Sequence, residues 1–60
     1  MTLNPDGTLE IEGDSICVKE TKTPASAAAT GTTGQIAWDS DYIYVCVATD
    51  TWVRSALATW

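Results

Sequence analysis

A chain of 60 residues with three cations against eight acids, a net charge of −5, has room for one small domain. Lys19, Lys22 and Arg54 are too few and too scattered to neutralise a phosphate backbone or grip an anionic bilayer, so neither nucleic acid nor a membrane is an expected partner. At 45% hydrophobic the chain is not a disordered tail. Yet a domain this short buries only about 60% of its unfolded surface, and needs disulfides, a metal or other chains to hold it.

The apolar content sits in Ile, Val, Trp and Tyr, with no Phe and three Leu. β-branched and aromatic side chains fit pleated, half-buried surfaces, so the expected fold class is all-β. No run of about 18 apolar residues spans a bilayer. Met1 to Gly7 lacks the basic-then-apolar order of a secretory signal, so the chain reads as one that folds in a cytoplasm. Cys17 and Cys46, without any His, do not complete a zinc site, and no cofactor or metal is expected. A bridge between them would contribute roughly 3–4 kcal/mol, but cytoplasmic thiols stay reduced, so two free thiols are expected. Association with other chains is the remaining source of stability.

In chain order, Asn4-Pro5-Asp6-Gly7 supplies turn chemistry to a polar lead-in. Thr8 to Glu12 alternates, with Leu9 and Ile11 on one face and Glu10 and Glu12 towards water. Gly13 and Asp14 form a turn pair before a second short strand at Ser15 to Lys19, which predicts a hairpin over residues 8–20. Residues 21–33 are rich in Thr, Ala, Ser and Gly and carry no large side chain after Lys22. They read either as an extended crossing segment, since small side chains let a chain lie flat on a neighbour, or as a loose loop.

From residue 34 to 60 the sequence is dense. Strands are predicted at Gln35 to Trp38, Tyr42 to Ala48 and Trp52 to Ser55, separated by turns at 39–41 and 49–51. Together they make a three-stranded antiparallel meander. In its central strand Tyr42, Tyr44 and Cys46 point one way, and Ile43, Val45 and Val47 the other. Both faces are apolar. An antiparallel sheet in a small monomer normally leaves one face in water. With one extra hairpin the chain supplies a single covering layer, so the second face is expected to be buried against identical chains.

Catalytic chemistry finds little here. No His stands beside a nucleophile, no G-x-S-x-G elbow is present, and Gly31-Thr32-Thr33-Gly34 lacks the Lys of a phosphate loop. Asp39 and Asp41 suggest paired carboxylates or part of a calcium site, but Asp-Ser-Asp between strands is ordinary hairpin chemistry. Trp38, Trp52, Trp60, Tyr42 and Tyr44 suggest a sugar platform, against the simpler role of aromatics as core. The expected character is non-enzymatic.

Gly34, Ile36-Ala37-Trp38-Asp39, Tyr42-Ile43-Tyr44-Val45-Cys46, and Trp52 with Arg54 carry a resemblance. The segment 34–54 resembles a short module of tail-fibre and other virion structural proteins of tailed phages, cyanophages especially, often near the end of a fibre chain. Residues 1–23 lie outside that resemblance. It implies an intertwined, foldon-like homotrimer that registers a fibre or tail component within the virion, assembled in the host cytoplasm beside other virion structural proteins. A small trimeric capsid decoration protein, and a receptor- or carbohydrate-binding fibre tip, are the rival expectations. The residues expected to build core and subunit interface are Ile36, Trp38, Tyr42, Ile43, Tyr44, Val45, Val47 and Trp52.

Overall fold

The computed structural model describes residues 2–60; Met1, the first residue of the polar lead-in, lies outside them. Five strands follow one another: β1 (Thr2–Leu3), β2 (Leu9–Glu10), β3 (Ile36–Trp38), β4 (Tyr42–Ala48) and β5 (Thr51–Ala56). They form a two-stranded sheet, β1-β2, and a three-stranded sheet in the order β3-β4-β5, with every pairing antiparallel. The fold is all-β, an N-terminal hairpin and a C-terminal meander.

The hairpin sits earlier than the alternation over residues 8–20 predicts. Asn4-Pro5-Asp6-Gly7 closes it, with Asn4 N–H donating to Thr8 O at 2.7 Å and Gly7 N–H to Asn4 O at 3.0 Å. The Asp6 carboxylate accepts Thr8 N–H at 2.9 Å, which holds its pKa below the ordinary value. Pro before Asp and Gly is the residue order a type I turn favours, and this turn takes Leu9–Glu10 as its second strand. Ser15 to Lys19 forms no strand. It runs instead to the border of the other sheet, where Val18 O accepts the Trp38 indole N–H at 2.7 Å. Lys22 N–H then donates to Trp38 O at 3.0 Å.

The meander follows the alternation closely. β4 pairs with β3 through Ile36↔Val45, Ala37↔Tyr44 and Trp38↔Ile43, and with β5 through Val45↔Val53, Tyr44↔Arg54 and Cys46↔Trp52. A bulge between Cys46 and Ala48 precedes the Thr49–Asp50 turn. Asp50 there adopts φ 54°, a left-handed conformation that Asp tolerates better than most residues.

The core is small: Ala37, Tyr44, Cys46 and Trp52 are buried, with Ala29 and Tyr42 packed against them. All four buried residues lie on one face of the sheet. Its cover is the 21–33 segment, not the hairpin. Ala27 O accepts Trp52 N–H at 2.8 Å, and Ala29 O accepts the Trp52 indole N–H at 3.1 Å. Small side chains are required there, because a Cβ on Gly31 would fall 2.7 Å from the Trp52 ring. This segment is a strap, neither extended nor loose: it bends and turns over residues 25–30, where Ala29 N–H donates to Ser26 O at 3.2 Å, and it holds Trp52 through the two bonds above.

The chain as a whole is open. Its accessible surface is 5094 Å², against about 3,800 Å² for a compact monomer of 6.4 kDa. The radius of gyration is 13.4 Å, where about 10.4 Å is typical of 60 residues.

Candidate self-association face

The two faces of the meander differ in kind. On the closed face, Cys46 is fully enclosed and its thiol lies 3.0 Å from Ala48 O, while the Tyr42 and Tyr44 rings meet at 5.9 Å, tilted by 47°. The Arg54 guanidinium stacks over Tyr42 at 4.2 Å from the ring centroid. Such a contact contributes about 0.5–1 kcal/mol at an exposed site. Cys17 is exposed on the N-terminal segment, so both thiols are unpaired.

A hub of hydrogen bonds ties this face to the turn beneath it. One Asp39 carboxylate oxygen accepts the N–H groups of Asp41 and Tyr42, each at 2.8 Å. The other accepts the Tyr44 hydroxyl and, at 2.7 Å, the Thr23 hydroxyl from the strap. The Tyr44 bond, then the Thr23 bond and the two backbone donors, hold Asp39 far below the usual carboxylate range. The same bond to Asp39, reinforced by burial, pushes the Tyr44 phenol upwards. Asp39 is therefore the turn builder that Asp-Ser-Asp suggests. Among the described residues no group of three or more His, Cys, Asp or Glu is clustered.

The opposite face carries Ile36, Trp38, Ile43, Val45, Val47 and Val53 and, among the described residues, no charged side chain. Ile36 is 66% exposed, Val47 53% and Val53 49%; Val45 and Trp38 are half-buried. Alternation explains why one strand builds both faces, since each neighbour of a buried residue points to the other side. Fully burying one Val or Ile is worth about 1.5–3 kcal/mol, so covering this half-exposed set contributes several kcal/mol per chain. For so small a domain that is a large fraction of its stability.

The eight residues expected at core or interface thus separate. Tyr44, Trp52 and Tyr42 belong to the closed face, and Ile36, Trp38, Ile43, Val45 and Val47 to the open one. Sequence reasoning missed Val53 on the open face and Ala37 in the core, although both follow from alternation beside Trp52 and Trp38. The aromatic residues do not assemble into one platform. Trp52 and Tyr44 are enclosed, Trp38 lies on the opposite face, and Trp60 is fully exposed at the chain end. A cleft of about 310 Å³ between residues 24–27 and β5 has Arg54 as its single charged wall.

No family model matches the chain, and no solved structure matches it. It is similar to two bacteriophage proteins. Over 54 residues, 90% of the chain, it is 44% identical to the depolymerase 1 of Klebsiella phage K5-2, described as capsule K30/K69-specific. Over 55 residues, 92% of the chain, it is 40% identical to the capsule K30/K69-specific depolymerase of Klebsiella phage K64-1. The chain spans about 7% of the length of each relative. The phage character of the resemblance over 34–54 is supported, and both relatives are proteins of Klebsiella phages. The similarity also takes in most of residues 1–23, which that resemblance left out.

Proposed function

We propose that the chain is a non-enzymatic structural module of a phage virion, which self-associates as a homotrimer and registers a fibre- or spike-type component. The observation that carries this reading is the uncharged open face of the meander, on a chain similar to a small part of two much larger phage proteins. Proteins named for their action on a capsule work where the particle meets its host. A segment that makes up 7% of such a protein has the size of an assembly element. Its Asp39 is taken up by the turn backbone, Tyr44 and Thr23, and the chemistry named for the relatives is assigned to their other residues. The partners are its own copies and neighbouring virion proteins, and the place is the outer part of the virion rather than the capsid shell.

Light scattering on the 60-residue chain at micromolar concentration tests the reading. The expected mass is three times 6.4 kDa. A monodisperse monomer sinks it. Val45 lies at the centre of the open face, between Ile36 and Val53. Val45→Asp places a carboxylate there in every copy, each desolvated and repelling the others, at a cost on the order of several kcal/mol per chain. The trimer should be lost, and because association and folding are coupled, much of the folded structure with it. A folded, trimeric Val45→Asp chain would move the interface off this face.

A further inference from the structure

The chain exposes a second apolar surface besides the open face of the meander. Leu3 and Leu9 stand opposite one another in the hairpin, Ile11 follows two residues on, and Ile16 and Val18 continue the series. All five are exposed, Leu3 and Ile16 by more than 70%. The segment is anchored at its root, where Val18 O accepts the Trp38 indole N–H and Lys22 N–H reaches Trp38 O. From that root Ile16 and Val18 line an open groove of about 540 Å³ with Ile36, Trp38 and Ile43. They cover the β3 side of the open face only. Val47 and Val53 remain exposed, and so do Leu3, Leu9 and Ile11.

We propose that the apolar series of residues 3–18 in one copy lies on the exposed Val47 and Val53 side of the open face in the next copy, an exchange of arms around a closed ring. This rests on the self-association reading above and names the surface that fills the face.

Three observations support a second copy as the occupant. The first is area: 5094 Å² of accessible surface exceeds the compact expectation of about 3,800 Å² by about 1,300 Å². A standard interface takes about 800 Å² from each partner, and a chain in a ring touches two neighbours. The surplus is therefore of the size that two contacts per chain remove. The second is reach. The nine steps from Val18 back to Leu9, which Leu3 faces across the hairpin, span up to about 30 Å when extended, close to the 34 Å longest extent of the chain. The third is charge. Five of the eight acids lie in residues 1–20, and Glu10 and Glu12 alternate with Leu9 and Ile11. The arm can press its apolar side on an uncharged face while its carboxylates stay in water. A head-to-tail exchange of this kind closes into a ring when the rotation between copies is a third of a turn.

The test compares the wild-type chain with L9E/I11E by light scattering over a concentration series, with circular dichroism to follow the sheet. The expected result is a wild-type trimer, and a variant whose sheet is intact but whose dissociation constant rises at least a hundredfold. A wild-type trimer with an equally associated variant overturns the arm exchange and leaves the structural reading standing. A wild-type monomer overturns both. Should the variant unfold, a mixed trimer of isotope-labelled and unlabelled wild-type chains decides. Nuclear Overhauser contacts between Leu9 or Ile11 methyls of one copy and Val47 or Val53 methyls of another are expected, and their absence overturns the exchange.

Discussion

The closed and open faces of the meander are built from the same three strands, so their difference isolates what covering a sheet requires. On the closed face a strap of small residues brings its own backbone carbonyls to the Trp52 N–H groups and a hydroxyl to Asp39, and four side chains become buried. On the open face the side chains are equally apolar, but among the described residues only the arm's root around Ile16 and Val18 comes up beside them. Apolar content alone therefore does not make a core. A cover must also meet the backbone donors at the sheet border, because an unpaired buried N–H costs about as much as a lost hydrogen bond. The strap does this and the hairpin does not.

The sharpest way to break the comparison is to remove the centre of the closed face. Trp52→Ala takes away the largest enclosed ring together with the indole N–H that Ala29 O accepts, a cost of about 3–5 kcal/mol. A domain this small should unfold, with loss of the β signal in circular dichroism at 25 °C. A variant that melts within a few degrees of wild type would mean that the closed face is not the core.

Gly31→Ala acts on the cover and leaves the sheet unchanged. The new methyl lies 2.7 Å from the Trp52 ring, so strap or ring must shift, which costs about 1–3 kcal/mol. Urea melts should show a lower midpoint. A midpoint equal to wild type would show that the strap does not press on Trp52 in solution.

The smallest effect is expected from pH and reads the Asp39–Tyr44 pair. Because Asp39 is held below its ordinary range when folded, its contribution is present above about pH 4 and is lost as pH falls further. Tyr44 is shifted upwards, so its contribution is complete below about pH 10 and is lost as pH rises through the folded value. Melting midpoints should form a plateau with a decline at each end. Tyr44→Phe should shrink the acid decline and remove the alkaline one. Unchanged limbs in that variant would assign both to other groups.

Much of this was legible in the residues themselves. β-branched and aromatic composition determined the all-β class, and strict alternation from Tyr42 to Val47 determined which side chains share a face, because side-chain direction in a strand depends only on local geometry. The demand of two apolar faces for two covers followed from the same pattern. Tertiary structure alone decided which segment supplies the cover. Ala, Ser, Thr and Gly have no periodicity to read, and what selects residues 24–31 is a set of contacts with Trp52 and Asp50 some twenty positions away. The hairpin was misplaced for a related reason. Two turn signals, at 4–7 and at 13–14, competed for one strand, and only the first was closed by its own hydrogen bonds. Asp39 was readable as a turn residue, but not as the partner of Thr23 and Tyr44, since spacing along the chain carries no information about which hydroxyls the fold brings to one carboxylate.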